Sequence, residues 1–179
     1  MADPDALLVE RARRGEREAF RALVLRYQNS LLGFCRSRIG ERMAAEDVAQ
    51  EVFIAAYSGL AGLREPERFA AWLFGIARMK LLVHVRRRAR SPVLEPLDPD
   101  RLLGRGAPPA EGDELGALLA DLPDEHRIVF LLRFRDDLSY RQIGQRLGLP
   151  AGSVGTILHR AKGVLRRRLE AGAREGGQE

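Results

Sequence analysis

Between Ser91 and Asp113 the chain carries five of its nine prolines, three glycines, and five acidic against two basic residues, for a local charge of −3. A segment so composed cannot bury enough apolar area to offset the entropy of ordering its backbone, so it reads as a linker. That one feature divides 179 residues into two pieces, 1–90 and 114–170, each of a size for one small core. Stretched at ~3.3 Å per residue, the 23 linker residues span roughly 75 Å.

Helices are the only elements the flanking pieces favour. Leu, Ala, Arg and Glu dominate, and β-branched runs are nearly absent. Leu7, Leu8 and Ala12 line a short first helix ending at Gly15. A longer one follows from Glu16 to Ile39, with Phe20, Leu23, Val24, Tyr27, Leu31, Leu32 and Phe34 as its apolar stripe and Gly40 as its stop. From Ala45 to Tyr57 the apolar positions Val48, Val52, Phe53 and Ala56 recur at helical spacing. Asp47, Gln50 and Glu51 then share the opposite side as one polar patch. Residues 58–66 read as a loop, and Pro66 suits the first turn of a helix carrying Phe69, Trp72, Leu73, Ile76, Ala77 and Leu81 to about Ala89.

Past the linker, Leu115, Leu118, Leu119 and Leu122 form one stripe, and Pro123 opens a helix with Asp124 and Glu125 at its positive end. Ile128, Val129, Leu131, Leu132 and Phe134 continue the expected core. Ser139 and Gln142 form an S-x-x-Q capping box, Gly144 permits close helix approach, and Gly148 supplies a tight turn. This is a helix-turn-helix pattern, with about Ala151 to Leu169 as the recognition helix. Its outward residues are expected to include Ser153, Gly155, Thr156, His159, Arg160 and Lys162, followed by the basic run Arg166 to Arg168. Residues 171–179 lack an apolar anchor and read as a disordered tail. The expected fold is all-α, two small helical domains joined by a flexible linker.

The net charge of +5 and pI near 10.1 permit a polyanionic partner, and the distribution narrows the choice. From Arg78 to Arg90 there are six basic residues (Arg78, Lys80, Arg86, Arg87, Arg88, Arg90) and no acidic one. A helix C-terminus needs one or two such charges for its dipole, so six over more than three turns read as a phosphate-binding face. The single cysteine, Cys35, excludes a disulfide framework and fits a small core residue in a reducing compartment. No apolar signal region opens the chain and no apolar run approaches the ~20 residues of a membrane span, so the expected location is cytoplasmic. His84, His126 and His159 are scattered without metal spacing, and no phosphate-cradling loop or nucleophile–base pair is in view. No catalytic residue, metal or cofactor is expected.

The stretch Glu46-Asp47-Val48-Ala49-Gln50-Glu51-Val52-Phe53 resembles the helix that bacterial sigma factors present to core RNA polymerase. Phe69 to Arg78, read as FAAWLFGIAR, is similar to the promoter-reading helix of the extracytoplasmic-function class, and Leu122-Pro123, Arg127, Leu138-Ser139-Tyr140, Ile143-Gly144 and His159-Arg160-Ala161 match its second module. The resemblance implies a region 2-like domain (1–90), a region 4-like domain (114–170) and no region 3. It implies that Asp47, Gln50 and Glu51 dock on the β′ clamp helices of the polymerase, with the β flap as a further contact. It implies that the loop from Ser58 to Glu67 and the helix from Phe69 read and help open the minus-ten element. Arg64, Arg68, Phe69, Arg78, Lys80, Arg86, Arg87 and Arg88 would contact DNA there, and Phe69 and Trp72 compete between base stacking and core packing. Tyr140, Arg141, Ser153, Thr156, His159, Arg160 and Lys162 would contact the minus-thirty-five element. The linker would thread the channel that later carries RNA, and an anti-sigma protein would hold an otherwise monomeric chain.

Four positions depart from the family pattern. Met79 and Val83 stand where Asn and Asp are usual, Gly155 where Lys is usual, and Ile157 where Arg is usual. A rival reading is a helix-turn-helix regulator that binds an operator without polymerase. It explains the second half of the chain and leaves Asp47, Gln50 and Glu51 without a role.

Overall fold

The computed structural model describes residues 4–89 and 114–175, so the linker from Ser91 to Asp113 lies outside the described residues. Among those described, every regular element is helical. In order they are α1 (Pro4–Arg13), α2 (Arg17–Ile39), α3 (Arg42–Gly59), α4 (Phe69–Ala89), α5 (Glu114–Ala120), α6 (Asp124–Phe134), α7 (Tyr140–Leu147) and α8 (Ala151–Glu175). Two 3-10 turns, Leu60–Gly62 and Pro66–Arg68, join α3 to α4 where a plain loop is expected. No described helix is long and apolar enough to cross a membrane.

Local chemistry sets most boundaries. Gly40 takes φ 76° and its N–H bonds the Arg36 carbonyl, closing α2. Ser139 and Gln142 make the reciprocal box, with the Ser139 N–H on Gln142 Oε1 at 2.8 Å and the Gln142 N–H on Ser139 Oγ at 3.3 Å. Gly148 ends α7 at φ 69°, a left-handed conformation that glycine adopts without steric cost. Pro123 precedes α6 as its cap and does not occupy the first turn. The last helix runs through Glu175, which corrects the expectation of a disordered tail from 171; residues 176–179 lie outside the described set.

The inward faces differ from expectation in three places. In α1 the buried residues are Asp5, Val9 and Ala12, while Leu7 is exposed. A ten-residue helix with apolar residues on several sides fixes its rotation poorly, and here the demand of a buried carboxylate for partners decides it. Leu115 and Phe134, expected in the core, are exposed; Phe134 stacks on Phe130 at 4.5 Å and carries the Lys162 ammonium 5.2 Å over its ring.

One buried apolar cluster runs from Val9 on α1 to Ala161 on α8, so the two modules share a core. Helices α5 and α6 lie on α2, and α7 lies on α4 and the Pro66–Arg68 turn. Arg127 sits at the centre, fully buried. Its Nε donates to the Leu119 carbonyl and its Nη2 to those of Ala120 and Leu122, each at 2.8 Å. The first two carbonyls belong to the last turn of α5 and the third to the turn that follows it, so Arg127 caps that helix from α6. Burial, and then the charge of Arg38, pull its pKa down to about 9, which leaves it cationic at neutral pH.

Asp136 accepts the Ser30 hydroxyl across the module boundary. Burial pushes its pKa up from 3.8 to about 6, against the Ser30 hydrogen bond and the charges of Arg146 and Arg135. A raised folded-state pKa gives a contribution fully present below the unfolded value and lost as pH rises through about 6. Asp136→Asn is therefore expected to raise the melting temperature near pH 7.5 and to change it little near pH 3, below the unfolded value of 3.8. A pH-independent difference would remove Asp136 from the linkage.

Candidate functional site

Asp47, Gln50 and Glu51 lie exposed together on α3, because Ala45, Val48, Ala49, Val52 and Ala56 take the inward side. Glu51 accepts a hydrogen bond from Lys80 Nζ at 3.0 Å, tying the acidic patch to the basic helix α4. Beside the patch runs an open apolar groove between α2 and α3, lined by Phe20, Val24, Leu32, Phe53, Ile54 and Tyr57, with Gln50 on its rim. Phe20, Val24 and Leu32 are half-buried groove walls and not the sealed stripe expected of them. Ile54 is 60% exposed. The sequence signal for this groove was available: α3 carries apolar residues on both sides of its inward stripe, more than one buried face requires.

On α4 and the turn before it, Arg64, Arg68, Arg78, Arg86 and Arg87 are exposed and Lys80 is half-exposed. The Arg88 side chain lies outside the described residues. Phe69 is fully buried against Tyr27 (5.7 Å between centroids) and Trp72 (6.0 Å), so it is a core residue and its assignment to the DNA surface is corrected. Its aromatic area is worth more packed than stacked on a base it cannot reach. Trp72 is half-buried, packed on the backbone of Gly59. Met79 and Val83, with Ile76 and Trp72, form a shallow apolar strip bordered by Lys80 and Arg87. Arg68 pairs with Glu65 at 2.9 Å and Arg78 with Asp124 at 3.5 Å.

In the helix-turn-helix, Ile143 and Gly144 of α7 are buried, as are Val154 and Leu158 of α8. That packing turns Thr156, His159, Arg160 and Lys162 outward, beside Tyr140 and Arg141; Ser153 is half-buried. Thr156 Oγ1 donates to the Gly152 carbonyl at 3.2 Å. Gly155 faces the Tyr140 ring, and a Cβ there would meet it at 3.7 Å, an ordinary contact. Ile157 is 9% exposed, so its side chain belongs to the module's core. Sequence reasoning gave no role to Asp5 or Arg146, which are paired at 2.8 Å and nearly inaccessible.

The arrangement defines a two-module helical protein with a helix-turn-helix reader in its second half. Family models agree in both halves: Sigma-70 region 2 matches residues 23–91 and Sigma-70, region 4 matches residues 112–165. The chain is 32% identical over 97% of its length to the RNA polymerase sigma-H factor of Pseudomonas aeruginosa, of which 97% is covered. It is 27% identical over 90% of its length to the ECF RNA polymerase sigma factor SigW of Bacillus subtilis, with 94% of that protein covered. Among solved structures, CnrH in complex with the cytosolic domain of CnrY superposes with a TM-score of 0.61 at 28% identity, over 94% of this chain and 99% of that one. The chain belongs to the extracytoplasmic-function class of the sigma-70 family.

Proposed function

We propose that the chain binds core RNA polymerase through Asp47, Gln50 and Glu51 with the adjoining apolar groove, and directs it to a set of promoters. The observation that carries this reading is the exposed acidic patch set beside an unfilled apolar groove on α3. An interface needs an apolar anchor pocket with a polar rim, and α3 offers both. Family membership supports docking on the β′ clamp helices and the β flap. The basic face of α4, reduced by Phe69, serves the minus-ten element. Tyr140, Arg141, Ser153, Thr156, His159, Arg160 and Lys162 serve the minus-thirty-five element. Binding energy alone drives promoter opening, so no nucleotide hydrolysis or cofactor is required. The protein works in the cytoplasm. Its relative CnrH is held by the cytosolic domain of another protein, which supports control by an anti-sigma factor that sequesters a monomer.

The test is to mix purified protein with bacterial core polymerase and transcribe fragmented genomic DNA. Discrete new transcripts are the expected result. Absence of a complex, together with specific duplex binding by the protein alone, would transfer the chain to the operator-binding regulators. Once a promoter is known, Arg160→Ala is expected to weaken binding by about 1–3 kcal/mol with relaxed preference at one base position. A uniform loss across sequences would make Arg160 a phosphate contact instead.

A further inference from the structure

We propose that the apolar strip on α4 is a thymine reader, in which Met79 and Val83 select thymine in the minus-ten element through its 5-methyl group. The proposal rests on the sigma reading above and deepens it, by naming the chemistry with which α4 tells one base from another.

Trp72, Ile76, Met79 and Val83 follow one another at i, i+4, i+7 and i+11, so they form a single line along α4. That line is not the core stripe, because Leu73, Phe74, Ala77 and Leu81 take the inward side. Met79 is 64% exposed and Val83 42%, while Trp72 and Ile76 are half-buried. Met79 and Val83 stand where Asn and Asp are usual in the family, so both departures on this helix fall on the same outward line.

The charge around the line suits a polyanion. Lys80 and Arg87 border it, Arg86 is exposed on its other side by the helical period, and α4 carries no acidic residue. Glu51 of α3 also borders it, with its charge offset by Lys80 at 3.0 Å. Asn and Asp read base edges by hydrogen bonds, whereas a thioether is a weak acceptor and an isopropyl group makes none. In the major groove only thymine presents an apolar group, its 5-methyl. Burying that methyl against Met79 or Val83 is favourable, and no other base edge gains by it. The two side chains are about 6 Å apart along the axis, or about two base steps.

The test uses holoenzyme and a promoter recovered from the genomic transcription described above. That promoter is synthesised with each minus-ten thymine of either strand replaced in turn by deoxyuridine, which lacks only the methyl. The parent is expected to lose about fourfold in affinity at one position or at two neighbouring ones, the factor that one buried methyl supplies. Met79→Asn combined with Val83→Asn leaves the local charge as it is, and should bind the thymine and deoxyuridine promoters equally. Met79→Leu combined with Val83→Ile keeps the strip apolar and should retain the discrimination. Both positions are exposed, so circular dichroism should show the same helix content in all three proteins.

A minus-ten element without thymine would overturn the proposal, as would a thymine preference that the Asn variant keeps. Loss of the complex with core polymerase in the Asn variant, with no effect of deoxyuridine on the parent, would make the strip a protein-docking surface instead. Failure of the sigma reading looks different. A parent that forms no complex with core polymerase and yields no transcript removes both readings, whereas an active holoenzyme indifferent to the methyl removes thymine readout alone.

Discussion

Asp47→Lys combined with Glu51→Lys is expected to cut affinity for core polymerase on the order of 100-fold or more. Reversing two charges at a complementary interface exchanges attraction for repulsion, and about 3 kcal/mol of such a penalty corresponds to that factor. The fold should survive. Both side chains are exposed, and the one ion pair that Glu51 makes with Lys80 is itself half in solvent, where such pairs contribute little. Circular dichroism melts of the double variant should overlay those of the parent while a pull-down with core polymerase loses its complex. Unchanged affinity would place the docking surface elsewhere.

Arg127→Met should lower stability by about 3–5 kcal/mol, a fall in melting temperature of roughly 10 °C. The apolar replacement fills much of the same volume but takes the donor from the carbonyls of Ala120 and Leu122, while that of Leu119 keeps only the Leu122 N–H at 3.1 Å. It also removes the guanidinium that lies 5.9 Å over the Phe34 ring, a contact that joins the modules. Arg127→Lys should recover only part of the loss, because one ammonium cannot reproduce a planar fork aimed at three acceptors. A melting temperature within about 2 °C of the parent would mean that water replaces the fork without cost, and that Arg127 is not a structural keystone.

The α3 patch and Arg127 differ in how far the sequence exposes them. The α3 patch was legible because a helical period sorts residues to two sides with no help from tertiary contacts. The helix-turn-helix was legible for a related reason: its capping box and its left-handed glycine are backbone requirements met within a dozen residues. Phe69 was misplaced because position on an amphipathic face does not distinguish a ring turned to DNA from one turned to Tyr27. The groove between α2 and α3 was half legible, since surplus apolar residues on α3 mark a second face without saying what lies opposite.

Arg127 fits the family pattern, and nothing in its local sequence says that it is buried. Nothing in the local sequence marks Asp5 or Arg146. Buried charges cost too much to be predicted from a local pattern, and their burial depends on partners far away in the chain. Asp5 and Arg146 are 141 positions apart.

The sequence by itself determined that this chain is helical, which residues share the α3 patch, and that its second half reads as a helix-turn-helix. Those properties follow from backbone propensity, period and turn chemistry, all of short range. Only the tertiary structure decided that the modules share one core, that Arg78 of the first module pairs with Asp124 of the second, and that Asp5 meets Arg146. Packing and the pairing of buried charge act between residues that no local window contains together.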